Sequence, residues 1–320
     1  MKALVTGASG FVGSHLCEEL TRRGYQVTCL VKKTSNLKWI ENLDIELALG
    51  DCTDIGSLRA AVREFDYVFH LAGLTKSCSE KDFFCANATG TENLVKIVAE
   101  KNMRLRRFIY LSSLSAIGPS KNGTPMREDS VPSPVSNYGK SKLYGEKAVL
   151  QYIDSIPATI LRPPAVYGPR DKDLLIFFKM IRRGILPTWG KCYYSLLYVD
   201  DLVRGIILAA ENKEAEGKIY FLSDSKFYAD NEIAMEIAAA LNVKPTQLRV
   251  PKFIMPFFAF IGERINKKHI INRDKMKELG HSHWICDAGK AREEIGFTVK
   301  VGLKEGIKWT ADWYRIHRWL

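Results

Sequence analysis

Tyr138 and Lys142 stand four residues apart in "YGKSKLYGEKAV", a helix-forming stretch from Tyr138 to Val149. On a helix the two side chains leave the same face, one turn apart. A free phenol has a pKa of about 10, too high to exchange protons readily near neutrality. An ammonium about 4 Å away favours the phenolate by roughly 4 kcal/mol at an effective dielectric of about 20, or about three pKa units. The pair is therefore either an acid–base couple or an ordinary stack on a solvated amphipathic helix. The rest of the chain decides.

A second constellation lies at the start. "VTGASGFVG" carries Gly7, Gly10 and Gly13 between a strand-like run and a helical one. Glycines there permit a tight turn and close backbone approach to a pyrophosphate, and the following helix offers free N–H groups and a partial positive charge. The spacing is GxxGxxG, one residue wider than the usual dinucleotide fingerprint. Strand before, helix after and a βαβ pattern around it select dinucleotide binding over a plain Gly-rich turn. An NAD site usually follows its second strand with Asp or Glu for the ribose 2′-OH. This chain has Lys32 and Lys33 there, then Thr34 and Ser35. Two cations suit a 2′-phosphate, so NADP(H) is the expected cofactor; the competing reading is two solvated lysines.

These residues need a frame. "KALVTG", "QVTCLV", "IELALGD", "DYVFHLAG" and "RFIYLSS" read as strands, separated by helical patterns over 11–23, 36–43, 54–64 and 87–102. A Pro-, Ser- and Asn-rich surface loop over 120–137 precedes helix 138–152 and strand 158–162. Such alternation implies parallel crossovers and a doubly wound sheet. "LLYVDDLVRGIILAAE" and "KIYFLSD" read as a strand, helix and strand returning to that sheet. The expected architecture is α/β: a Rossmann-type doubly wound parallel sheet with a smaller, mainly helical C-terminal substrate lobe. Its expected bounds are 1–166 with returning segments near 193–225 for the cofactor domain, and 167–192 with 226–320 for the lobe.

Composition narrows the class. The chain has 320 residues, 46% apolar, with a formal net charge of +11. The charge favours acidic partners such as phosphorylated cofactors or an anionic membrane surface. Nucleic acid is not expected, because zinc-ligand spacing, an RNP-like aromatic motif and a long Lys/Arg block are missing. Seven cysteines without a CxxC fit a reduced, cytoplasmic protein. The N-terminus shows no signal-peptide pattern, and no apolar run reaches the roughly 18 residues that span a bilayer. His281 and His283 form an HxH pair near Cys286, but no further ligand set completes a zinc site, so no metal is expected. The C-terminal "DWYRIHRWL" reads as an amphipathic helix end packed on the small lobe.

Taken together, these motifs resemble the extended short-chain dehydrogenase/reductase superfamily of NAD(P)-dependent epimerases and dehydratases, over most of the chain. "TGASGFVG" is similar to its cofactor loop, which implies contacts from Gly7, Ser9, Gly10, Phe11, Val12 and Gly13. "GDCTD" implies Asp51, with Cys52 beside it, on the adenine side. "HLAG" implies that Leu71, Ala72 and Gly73 pass under the cofactor, and "NATGTENL" puts Asn87 near the active site. "YLSSLSAIG" resembles the catalytic-serine strand; register with Gly118 selects Ser113 over Ser115, with Ser112 on the cofactor side. "LRPPAVYGP" looks like the loop over the nicotinamide and implies Pro164 and Val166. The resemblance makes Tyr138 and Lys142 the family's YxxxK pair. Reducing a ketone takes a hydride on carbon and a proton on oxygen. Tyr138 would exchange the proton, Lys142 would also hold the nicotinamide ribose, and Ser113 would donate to the developing oxyanion. The same residues would run the reverse oxidation.

Two departures bear on the substrate. Sugar-nucleotide members often carry an "RDFVYVDD"-like stretch whose arginine grips the substrate pyrophosphate. Here the aligned stretch is "YSLLYVDD", with Tyr194 for the arginine and Ser195 for the acidic residue; Arg170, Arg182 or Arg183 are candidate substitutes. The stretch 250–268 gathers Phe253, Ile254, Met255, Phe257, Phe258, Phe260 and Ile261, followed by Lys267 and Lys268. It is a buried helix, an apolar substrate entrance, or a membrane-surface helix with a basic rim over 252–268, at the inner face of the membrane. Together with "RDKMKELGHSHWICDAGKAREEIGF", it resembles the branch of dihydroflavonol reductases, 3β-hydroxysteroid dehydrogenases and bacterial keto-lipid reductases. The expectation is an NADPH-dependent reductase of a bulky apolar or lipid-like ketone, such as 3-ketosphinganine, acting as monomer or homodimer. The alternatives are a nucleotide-sugar epimerase or dehydratase with recycled NAD(P), and a non-catalytic NADP sensor. A sensor would be expected to lose the Tyr/Lys pair, which this chain keeps.

Overall fold

The computed structural model describes residues 1–101, 104–188, 190–249 and 273–320. Among them, β1 (Lys2–Thr6), β2 (Gln26–Val31), β3 (Ile45–Leu49), β4 (Tyr67–His70), β5 (Arg107–Leu111), β6 (Ala158–Arg162) and the strand Ile219–Phe221 form one sheet. Its order is β3-β2-β1-β4-β5-β6 and then Ile219–Phe221, every neighbouring pair parallel. The order reverses beside β1, the switch point where a doubly wound sheet leaves a crevice for ligands.

Alternation along β1 shows why both faces are covered. Ala3 and Val5 pack with Leu16 and Leu20 of helix α1 (Phe11–Arg22) and with Leu202 and Ile206 of helix Val199–Glu211. Leu4 turns the other way, against Leu58 of α2 (Ile55–Ala61), Leu94 and Val98 of α4 (Gly90–Lys101) and Val149 of α5 (Asn137–Leu150). Sequential strands that are apolar on both faces require helices on both sides. A separate apolar cluster joins Phe178, Leu186, Ile237, Leu303, Ile307 and Tyr314. No helix among the described residues is long and apolar enough to cross a membrane.

The structure departs from the sequence reading in four places. Residues 36–43 form successive turns rather than a helix, closed by bonds from Ile40 N and Glu41 N to Leu37 O. Eight residues that include Asn36 and Asn42 offer too few helical bonds to offset nucleation. The expected helix 87–102 begins earlier, as α3 (Glu80–Phe84), and passes through a π-helical turn, Cys85–Thr89, before α4. In that turn the Asn87 carbonyl accepts from the Thr91 hydroxyl at 2.7 Å. The strand Leu196–Tyr198 pairs with Ala165–Tyr167 in a two-stranded sheet and does not join the main sheet; Ile219–Phe221 does. The C-terminal helix Leu303–Ile316 packs on the Phe178 cluster and also reaches the turns after β2, where Trp313 lies 5.5 Å from Trp39. The apolar run 253–261 and the stretch 252–268 fall outside the described residues.

Candidate active site

β1 ends at Thr6, and the chain turns at Gly7 with φ +71°. A Cβ at Gly7 would stand 2.7 Å from Leu71 C and Ala72 N, and one at Gly13 would stand 2.1 Å from Gly7 O. Side chains would fill the cradle or force α1 off the strand. Gly10 caps α1 without a side-chain bond, so the helix opens as bare backbone. Its first turn carries the donors and partial positive charge that suit a pyrophosphate, and Ser9, Phe11 and Val12 lie half-buried along it. The dinucleotide fits this loop.

Beneath the loop runs a buried polar chain. Ala72 N donates to Thr6 Oγ1 at 3.1 Å, leaving the Thr6 hydroxyl proton for His70 Nδ1 at 2.7 Å. His70 Nε2 then donates to Thr91 Oγ1 at 2.9 Å, and Thr91 donates on to the Asn87 carbonyl. This order fixes a neutral imidazole protonated on Nε2. Burial, helped by the Lys142 charge, pushes the pKa of His70 down to about 3. The chain thus ties the end of β1 to Asn87. Asn87 itself bridges two elements: its Oδ1 accepts from Leu74 N at 2.7 Å, and its Nδ2 donates to Leu74 O and Ser141 Oγ, each at 2.9 Å. Gly73 is close by, since a Cβ there would sit 3.0 Å from Asn87 Oδ1 and 3.7 Å from Lys142 Nζ.

Tyr138 lies in the first turn of α5, and Lys142 follows one turn later. Ser113 Oγ accepts from Ser115 N at 3.1 Å and stands near enough to the Tyr138 hydroxyl to lower its pKa. The electrostatics correct the expectation from spacing. Burial pushes Tyr138 up to about 12; Ser113 opposes this, Glu278 adds to it, and Lys275 lowers it again. Lys142 does not hold a phenolate here: its Nζ donates to Leu111 O at 2.6 Å and lies 4.4 Å above the Tyr110 ring. Burial pushes Lys142 down to about 7 against the pull of Glu146. For both groups burial outweighs the charges nearby.

At the far end of the crevice, Lys32 Nζ pairs with Asp51 at 2.8 Å, and Lys33 is exposed. Burial works against the Asp51 charge, but hydrogen bonds from Lys32 and Thr53 outweigh it and hold the carboxyl below its ordinary range. Cys52 is buried beneath Gly90, and burial lifts its thiol to about 12. Leu71 and Val166 pack against the core and Pro164 is buried. Leu114 N donates to Pro163 O at 2.8 Å, which joins the "LRPPAVYGP" loop to the Ser113 turn. Ser112 is turned elsewhere: its hydroxyl donates to Glu146 Oε1 at 2.5 Å, within a buried ion pair of Glu146 and Arg162.

Tyr194 is half-buried in a small sheet, opposite Tyr228 and Trp284. Ser195 is buried, its Oγ accepting from Cys286 N at 3.0 Å. Arg170, in the left-handed region at φ +72°, donates to Ser14 Oγ at 3.0 Å, pairs with Glu18 and lies 4.9 Å over Trp39. Its guanidinium is held on α1. Arg182 and Arg183 are exposed. His283 stacks on Tyr193, and among the described residues no group of three or more His, Cys, Asp or Glu gathers as metal ligands. Sequence reasoning passed over Thr91 and Glu146, and it quoted His70 and the stretch holding Asp274 and Glu278 without giving those residues a task. The visible signals were a lone histidine ending the apolar strand "YVFH" and the acidic pair in "RDKMKEL".

The profile of the NAD dependent epimerase/dehydratase family matches residues 3–222. A ceramide reductase of Caulobacter vibrioides is 29% identical over 324 residues, 99% of this chain and 95% of that protein. A 2-alkyl-3-oxoalkanoate reductase of Shewanella oneidensis is 26% identical, covering 96% of this chain and 84% of its own length. The solved UDP-glucose 4-epimerase of Thermotoga maritima superposes with a TM-score of 0.83 at 23% identity, over 99% of this chain and 100% of that one, a likeness of fold.

Proposed function

The chain belongs to the NAD dependent epimerase/dehydratase family, and we propose that within it the protein is an NADPH-dependent reductase of a ketone on a bulky apolar or lipid-like molecule. It is an NAD(P)-dependent oxidoreductase of the extended short-chain dehydrogenase/reductase type, acting on a small molecule. The finer reading assigns roles to the residues described above. Residues 1–166 with 193–225 hold the cofactor, and 167–192 with 226–320 form the substrate lobe. Gly7, Gly10 and Gly13 take the pyrophosphate, Lys32 and Lys33 the 2′-phosphate, and Lys142 the nicotinamide ribose. The bound cofactor supplies the hydride. Tyr138 donates the proton to the carbonyl oxygen, and Ser113 donates a hydrogen bond to it.

The observation that carries this reading is Tyr138 beside Ser113 at the start of α5, with Lys142 buried one turn later. Burial keeps the phenol protonated, the state from which it can give a proton to the carbonyl oxygen. The substrate class rests on two supports. Tyr194 stands where nucleotide-sugar enzymes carry an arginine, and Arg170 is engaged by Ser14 and Glu18. The two reductase relatives are named for a ceramide and for a 2-alkyl-3-oxoalkanoate.

The test is an NADPH-oxidation screen with 3-ketosphinganines of graded chain length beside UDP-glucose. Each buried methylene contributes about 0.8 kcal/mol, so two further carbons should tighten binding roughly tenfold until the pocket is outgrown. Affinity indifferent to chain length would overturn the lipid substrate. Turnover of UDP-glucose without net NADPH loss would replace the reductase by an epimerase.

A further inference from the structure

The first turn of α5 is gripped by an element 136 residues further along the chain. Asp274, on the helix Arg273–Leu279, accepts from Asn137 N at 2.7 Å with Oδ1 and from Tyr138 N at 3.0 Å with Oδ2. The third amide, of Gly139, donates to the local cap Ser136 Oγ at 2.9 Å. Ser136 passes its own proton to Glu278 Oε1 at 2.8 Å, and Glu278 Oε2 accepts from Lys275 at 2.7 Å. The Glu278 carbonyl is fixed by the indole N–H of Trp284 at 2.9 Å. Both carboxylates are buried.

A helix normally satisfies its opening amides with one residue from its own chain start. Here two of them go to a distant carboxylate, in charge-assisted bonds at the positive end of the helix. One of those amides is the backbone N–H of Tyr138 itself. Its ring is bounded on another side by Phe83, with centroids 6.2 Å apart. The Tyr138 hydroxyl stands beside Ser113, which belongs to a different element, so a small rotation of the first turn would move the two apart.

We infer that Asp274 is a positioning residue: through the Asn137 and Tyr138 amides it sets the first turn of α5, and so places the Tyr138 hydroxyl beside Ser113. Glu278, bonded through Ser136, is the second arm of the same clamp. The inference rests on reading Tyr138 as the proton donor. It also gives the "RDKMKEL" stretch a task inside the active site.

The experiment compares Asp274→Ala and Asp274→Asn with the unaltered protein, using 3-ketosphinganine as the probe ketone. Misplacement by about 1 Å can cost about a hundredfold in rate, so Asp274→Ala should lower kcat at least about tenfold while the NADPH Kd moves less than about threefold. Asp274→Asn keeps one acceptor oxygen and should recover part of the loss; it also serves if the alanine variant does not fold. Amide hydrogen exchange at Asn137 and Tyr138 should quicken in both variants, with the later turns of α5 unchanged. A kcat that falls only in step with the melting temperature and NADPH affinity would overturn the inference, as would unchanged exchange at the two amides. If the unaltered protein reduces no keto lipid, the functional reading fails, and the exchange measurement alone still supports or overturns the clamp.

Discussion

Lys142 Nζ lies 2.6 Å from the carbonyl oxygen of Leu111, at the end of β5, and that carbonyl takes its hydrogen bond. The ammonium is buried over the Tyr110 ring, and burial pushes its pKa down to about 7. In the unfolded chain the same group titrates at about 10.4. Between those values the unfolded state holds a proton that the native state lacks, so stability rises with pH. Below pH 7 both states are charged and the full desolvation cost stands. Lys142→Met should therefore stabilise the cofactor-free protein most at low pH, and its advantage should shrink by up to about 1.4 kcal/mol per pH unit above neutrality. Urea unfolding of both proteins at about pH 6 and about pH 9 checks this. A difference that does not change with pH would mean that Lys142 keeps its ordinary proton affinity.

Tyr138→Phe removes the hydroxyl that stands near Ser113 and leaves the ring beside Phe83. Loss of a general acid costs between about a hundredfold and ten-thousandfold in rate. The Gly7–Gly13 loop is untouched, so NADPH affinity should stay near that of the unaltered protein. Calorimetry and steady-state kinetics on one preparation separate the two quantities. Turnover retained in this variant would move the proton donor to another residue.

The parts of the site legible in the sequence are those carried by short spacing. Gly7, Gly10 and Gly13 lie within one turn of chain, and Tyr138 and Lys142 within one turn of helix. The strands were legible because β1, β2 and β6 are apolar runs bounded by turn residues. What spacing cannot carry is which groups meet across long separations. Asp274 reaches Tyr138 across 136 residues, and Tyr314 donates to the Asp171 carbonyl across 143. The direction of the Lys142 side chain was equally hidden. Helical spacing fixes the face it leaves, but Leu111 O and the Tyr110 ring decide where its nitrogen ends. The π turn at Cys85–Thr89 left no mark on the apolar period, because it is held by the polar bonds of Asn87 and Thr91.

Lys32 is half-exposed and paired with Asp51 at 2.8 Å. An exposed pair of this kind contributes at most about 1 kcal/mol to stability, so Lys32→Asp should fold. It would set a carboxylate beside Asp51 where a 2′-phosphate is proposed to bind. NADPH affinity should fall at least about tenfold, worth about 1.4 kcal/mol, while NADH loses less or gains. Calorimetric titration with both cofactors reads the gap directly. Equal affinities for NADPH and NADH in the unaltered protein would remove the 2′-phosphate from this site.

Gly145 is the point where α5 presses on its neighbours. A Cβ there would stand 2.2 Å from Tyr110 Oη and 2.5 Å from the Asn87 carbonyl oxygen. Neither can yield cheaply: Tyr110 is fully buried in β5, and the Asn87 carbonyl is backbone of the π turn, bonded by Thr91. Gly145→Ala must therefore lift α5 away, and Lys142, one turn before, moves with it. Overpacking of this kind costs about 1–3 kcal/mol. The expected pattern is a lower melting temperature together with weaker NADPH binding and slower turnover, in contrast to Tyr138→Phe, which should spare cofactor affinity. Adding Tyr110→Phe removes the nearest atom and should return part of the stability, though the Asn87 carbonyl and the ring carbon Cζ, at 2.9 Å, still oppose the new methyl. If Gly145→Ala alone melts and binds NADPH like the unaltered protein, α5 does not seat Lys142 through this contact.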